Sequence, residues 1–294
     1  MDSIFIFATC QGLEIANILR LSPTFSRLFE IRSQFNFLAP GEASDPRRFL
    51  DEIAGSRFFF YQRNEFLDDA FLASLPLTLR ASPIPYVTSK IYWPSMLDQN
   101  TEPRLLCCEQ NPYGYIPFRC GVLEEMIDSG WDDERIVSRY TAARLDELLD
   151  LDEHFERQIG HLRKLDGSCD IKVADFVESR VRETMLFHIF NHPAIPVMRH
   201  MADGMLDLLG LPLDLPRDVP DKFVHSQLPV HPSVARAYGL AFAAEDRIWN
   251  LGPRKVNFEE YLRLYISDYR RVVTPAASPR PIAARRLAEA APVP

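Results

Sequence analysis

The chain has 294 residues, 47% hydrophobic and 25% charged, with a formal net charge of −8. That acidic balance argues against a general nucleic-acid binder, and five cysteines with no CxxC pair or zinc-spaced His/Cys cluster argue against a disulfide framework or metal site. No run approaches the ~20 apolar residues of a membrane span, and the first apolar run is too short for a signal peptide, so the expectation is a reduced, cytoplasmic protein.

The first predicted element is the apolar run Ile4-Phe5-Ile6-Phe7-Ala8, which stops at Thr9-Cys10-Gln11-Gly12 before a helical pattern (Leu13, Ala16, Asn17, Arg20). This predicts a buried strand, a tight turn and a helix with a thiol at its start, where the helix dipole favours thiolate. Residues 33–38 predict a second strand. Asp45-Pro46 opens a short helix, with aspartate as cap and proline at the first helical position. Residues 57–61 predict a third strand and residues 68–75 a short helix; residues 83–93 read as extended and broken by prolines. Strands alternating with helices imply a parallel sheet.

From about residue 122 the pattern is helical. Thr141 is placed to cap a long helix through Leu145, Leu148, Phe155 and Leu162. Val173, Val177, Val181, Met185 and Ile189 form a second stripe that ends at Asn191-His192-Pro193. A third helix runs through Val197, Met201, Met205 and Leu208 to Gly210, Pro232 opens another, and Asn257 with Glu260 predicts a capping box. The expected fold is α/β: a small parallel sheet in the N-terminal half and a large helical C-terminal half. Residues 1–273 read as one domain and 274–294 as a disordered Ala/Pro/Arg-rich tail.

Three constellations carry candidate chemistry. At the first turn, Cys10 is either a small buried hydrophobe or a nucleophile, with Gln11 and Gly12 offering helix-start N–H groups to an oxyanion or phosphate. In Phe190-Asn191-His192-Pro193, His192 sits at a helix junction, as a general base or merely bonded to helix ends. Lys172, Arg180, Arg182 and Arg199 form either a phosphate-binding cluster or a solvated helix face. His231 is a weaker candidate base. Asp150-Leu151-Asp152 reads as a solvated helix face rather than a metal motif, and adjacent Cys107-Cys108 suit neither a disulfide nor a ligand pair.

Taken in order, the Cys10-Gln11 turn, the segment from Ile84-Pro85-Tyr86 to Ile91-Tyr92-Trp93-Pro94, and Ala174-Asp175-Phe176 leading to Phe190-Asn191-His192-Pro193 resemble the WcbI family of polysaccharide-biosynthesis proteins. The resemblance covers about residues 3–272. It implies an α/β fold distantly like the SGNH hydrolases, binding of coenzyme A or acetyl-coenzyme A as cosubstrate without a metal, and acetylation of a capsular sugar or glycan precursor. It singles out Cys10, Gln11, Asn191 and His192; charge alone, rather than the resemblance, offers Arg180 or Arg182 to the coenzyme's phosphates. The family turn usually reads Gly-Asn-Cys-Gln, whereas this chain has Ala8-Thr9-Cys10-Gln11, so Thr9 stands where an asparagine is expected. Two other readings use the same residues: a thioesterase or glycan deacylase, and a non-catalytic coenzyme A- or glycan-binding module.

Overall fold

A computed structural model describes residues 1–39, 42–97, 119–244 and 246–272. The Cys107-Cys108 pair and the 274–294 tail lie outside the described residues. In chain order the elements are β1 (Asp2–Ala8), α1 (Cys10–Leu19), α2 (Pro23–Leu28), β2 (Phe29–Phe35), β3 (Phe37–Ala39), β4 (Glu42–Ala43), a 3-10 turn (Pro46–Phe49), α3 (Leu50–Ala54), β5 (Phe58–Tyr61), α4 (Asp69–Ser74) and β6 (Arg80–Pro83). There follow α5 (Gly121–Asp128), α6 (Asp133–Thr141), α7 (Leu145–Leu148), α8 (Leu151–Asp166), α9 (Ala174–Arg180), β7 (Phe187–Ile189), β8 (His192–Pro193), α10 (Ile195–Leu208), α11 (Pro232–Tyr238), β9 (Trp249–Leu251), β10 (Arg254–Val256) and α12 (Phe258–Val272). The chain divides into two compact units: Met1–Ser89 with Ile159–Val181 and Met185–Phe223, and Lys90–Gln158 with Arg182–Thr184 and the described residues from Val224 on.

The first unit is built on a parallel sheet of order β2-β1-β5-β6. Ile4 to Ala8 are buried on both faces, which is why β1 reads as a continuous apolar run. Phe5 and Phe7 pack with Phe59, Tyr61, Ile53 and Phe71 on one face. On the other, α1 lies so close that a Cβ on Gly12 would stand 2.3 Å from Ala8 Cβ and 3.2 Å from Ile6 Cγ2. The chain leaves β1 for β2 on one side and returns past it to β5 on the other. The crevice outside the carboxyl ends of β1 and β5 is therefore the topological switch point, where open α/β sheets bind ligands.

Two helical expectations are corrected. Thr141 does not cap a long helix: it is the last residue of α6, and α8 starts after Asp150, whose Oδ1 accepts the Glu153 N–H at 2.8 Å. Asp150 of the Asp150-Leu151-Asp152 motif is thus a helix cap. The stripe from Val173 to Ile189 is likewise not one helix. Its start is capped by Asp166, whose carboxylate accepts the Val173 and Ala174 N–H groups, but α9 ends at Arg180. Phe187–Ile189 instead pairs with His192–Pro193 as an antiparallel hairpin. Aromatic and β-branched residues favour a strand there, and proline keeps His192 out of the helical region. The expected caps form at Asp45 on the 3-10 turn and as the reciprocal Asn257–Glu260 box on α12; α10 ends just before Gly210, which is left-handed, and Asp68 also caps α4. No helix among the described residues is long and apolar enough to cross a membrane.

Candidate active site

At the switch point Thr9 caps α1 as its Oγ1 accepts the Gln11 N–H at 3.4 Å. Gln62, directly after β5, fixes Thr9: its Oε1 accepts the Thr9 N–H and hydroxyl, both at 2.8 Å, and its Nε2 donates to Pro85 O at 2.9 Å. Asn36, after β2, donates its N–H to Ala8 O at 3.0 Å and its Nδ2 to Gln62 O at 3.2 Å. The carboxyl ends of the strands are thus tied together around the turn.

Cys10 opens α1 and is half-buried. Burial pushes its thiol above the ordinary cysteine value, and the N–H groups of Gln11 and Cys10 and the Thr9 hydroxyl only partly offset this. The helix start does act on the sulfur, but the expected thiolate does not prevail, because desolvation of the anion outweighs the dipole. The Gln11 side chain is fully buried (0% exposed). Its Nε2 donates to Val87 O at 2.8 Å and Asn191 O at 2.9 Å, and its Oε1 accepts the Val87 N–H at 3.0 Å. That amide is spent on the backbone, and the Gln11 main-chain N–H faces the Thr9 hydroxyl that caps the helix. Gly12 does not offer a free N–H either, since it donates to Thr9 O at 2.9 Å; its lack of a side chain lets α1 approach β1.

The Gln11–Asn191 bond brings the residue after the thiol against the residue before His192. His192 lies in the hairpin just ahead of α10, and its ring stacks flat on Phe223 (centroids 4.4 Å, 6° between planes). Its Nδ1 and the neighbouring Asn191 Oδ1 are both buried without a hydrogen-bond partner. Burial and the nearby His188 lower the His192 pKa to about 4, so the imidazole is neutral at neutral pH. Tyr86 exposes 37% of its surface, yet burial of its hydroxyl raises its pKa. The Asn191 side chain and Cys10 both act on that hydroxyl, which places Tyr86 at the same cleft.

Other predicted residues have structural partners. Lys172 Nζ donates to Asp166 O and Cys169 O, and Arg199 to the carbonyls of Leu215, Pro216 and Arg217. Arg180 lies over the Phe176 ring (5.1 Å), and Arg182 belongs to the second unit, over Phe155 (5.0 Å). The cationic cluster is therefore divided among separate packing contacts. His231 caps α11: its Nδ1 accepts the Ser233 N–H at 3.1 Å and its Nε2 donates to Tyr140 O at 2.7 Å, which leaves it no free nitrogen for a base. Sequence reasoning missed Gln62, Tyr86, His188 and Asp221. The polar residues just after β5, in the same position as Thr9-Cys10 after β1, were the available signal for Gln62. His188 and Asp221 had none beyond a lone histidine in an apolar strand.

The sequence profile of the polysaccharide biosynthesis enzyme WcbI matches residues 3–214. The chain belongs to the WcbI family. A solved structure described as WcbI, a novel polysaccharide biosynthesis enzyme, in its native form without a disulfide bond between coenzyme A and one of its cysteines, superposes with a TM-score of 0.74. It shares 23% sequence identity, over 92% of this chain and 90% of that one. At that identity the likeness establishes the fold. Among curated proteins no match was found. Among the described residues of this WcbI-family chain, no three His, Cys, Asp or Glu side chains group as metal ligands.

Proposed function

We propose that this WcbI-family protein transfers an acyl group, acetyl in the simplest case, from a coenzyme A thioester to a hydroxyl of a sugar or glycan precursor in the cytoplasm. The carrying observation is a half-buried thiol on the first residue of α1 at the sheet's switch point, with the His192 hairpin bonded to Gln11. A WcbI structure described in terms of coenzyme A and a cysteine supports assigning the same pairing to Cys10. A distant likeness to the SGNH hydrolases belongs to the same reading.

An acyl-coenzyme A thioester, when bound, supplies the activated acyl carbonyl and the thiol leaving group. Cys10 gives up its proton to neutral His192 and attacks that carbonyl. The N–H groups of Cys10 and Gln11 receive the developing oxyanion, a contribution worth roughly 3–4 kcal/mol per donor in other enzymes. His192 returns the proton to the departing thiol, then takes one from the acceptor hydroxyl as that oxygen displaces Cys10 from the acyl group. Thr9, in place of the family's asparagine, serves as helix cap and leaves the oxyanion to the backbone donors. The high thiol and low imidazole pKa keep both partners neutral until substrate is present.

The test is calorimetric titration of coenzyme A and acetyl-coenzyme A into wild type and Cys10→Ala, followed by mass spectrometry of the Cys10 peptide after acetyl-coenzyme A. Saturable binding and an acetyl increment lost in Cys10→Ala are expected. No binding to the folded protein sinks the proposal, and rapid coenzyme A release without any acceptor replaces it with hydrolysis.

A further inference from the structure

A histidine that works as a base is usually aimed by a hydrogen bond to its second nitrogen. His192 has no such bond, because its buried Nδ1 is unpartnered. What holds the ring is the flat stack on Phe223. The turn carrying Phe223 is itself fixed by three consecutive residues. Asp221 Oδ1 accepts the Phe223 N–H at 3.0 Å, closing the turn. Its Oδ2 meets His188 Nε2 at 2.7 Å and accepts the Ile195 N–H at 3.4 Å, so one carboxylate grips both flanks of the hairpin that bears His192. Lys222 Nζ lies 3.7 Å from the buried carboxylate of Glu14, on the helix that begins with Cys10.

We propose that Asp221, Lys222 and Phe223 form a clamp that positions the His192 imidazole relative to the helix carrying Cys10, orienting it by ring stacking in place of a hydrogen bond. Asp221 and Phe223 are positioning residues: they act through His192. The inference rests on the reading of His192 as the base, but its first test does not need turnover.

The full chain with ring-labelled histidine is followed by NMR in wild type, Phe223→Leu, Phe223→Tyr and Asp221→Ala, with His192→Ala assigning the resonance. Loss of the ring current in Phe223→Leu and Asp221→Ala should move the His192 ring protons downfield, and Phe223→Tyr should restore them. The maximal rate of Cys10 acetylation by acetyl-coenzyme A should fall about ten- to hundredfold in Phe223→Leu, as misplacement of a reacting group by about 1 Å does. The half-saturating concentration should change less. In a His192→Ala background the same substitution should cost nothing further. Unmoved His192 resonances in Phe223→Leu overturn the clamp, as does a rate loss that persists without His192. If Asp221→Ala fails to fold, Phe223→Leu and Phe223→Tyr still decide. If wild-type Cys10 is never acetylated, the functional reading fails while the resonances still judge the clamp.

Discussion

Replacing Gln11 by alanine tests whether its side chain is a brace or a ligand contact. The substitution leaves Val87 N–H, Val87 O and Asn191 O without the partners now at 3.0, 2.8 and 2.9 Å. Each lost bond costs about 1 kcal/mol net, and more where the stranded group stays dry, so the loss should be about 3–6 kcal/mol. At roughly 2–4 °C per kcal/mol, even the lower figure lowers the melting temperature by about 6–12 °C. Gln11→Glu sharpens the test. It keeps an acceptor for Val87 N–H but sets a second oxygen against two carbonyls, which raises the folded-state carboxyl pKa above its unfolded value of about 4.3. The folded state then holds more protons than the unfolded state above that pH, so this variant should lose stability as pH rises. Thermal melts at several pH values read both effects. A Gln11→Ala protein that melts within about 2 °C of wild type would refute the brace.

Gly12→Ala should cost about 1–3 kcal/mol by overpacking, and adding Ala8→Gly should recover part of it, because Ala8 Cβ is the 2.3 Å obstacle; denaturant titration of the pair checks this. Iodoacetamide labelling of Cys10 should follow a midpoint above the ordinary cysteine range, since burial raises its pKa; a plateau already at neutral pH would contradict that. His192 and His231 both titrate at about 4 because of burial. Their folded pKa values lie below the unfolded ~6.5, so the unfolded chain binds more protons between these values and stability falls as pH drops from ~6.5 toward 4. A His231→Gln variant should show a shallower acid slope in urea melts; an unchanged slope would exclude that histidine's contribution.

Much of the fold was legible because local signals acted locally. Thr9, Asp45, Asp68, Gly210 and the Asn257–Glu260 pair sit within a few residues of the ends they form. The β7–β8 hairpin was not legible, since Val181, Met185 and Ile189 continue the i, i+4 spacing of Val173 and Val177 even though the chain leaves the helix after Arg180. The site divides the same way. Cys10 and His192 stand out by their turns. The use of Gln11 depends on Val87 and Asn191, and the hold on the His192 hairpin depends on Asp221; no spacing rule reaches partners so far along the chain.

The frame at the carboxyl edge of the sheet is made almost wholly of primary amides. The side chains of Gln11, Gln62, Asn36 and Asn64 bond the backbone of Val87, Asn191, Pro85, Gln62, Asn36 and Ser44 without a formal charge among them. Such bonds neither titrate nor weaken with ionic strength, as surface ion pairs do. The amide scaffold around Cys10 therefore keeps one shape while the thiol and imidazole change protonation, so an acid or salt response at this cleft belongs to those two groups, to Asp221 with its His188 contact, and to the Lys222–Glu14 contact.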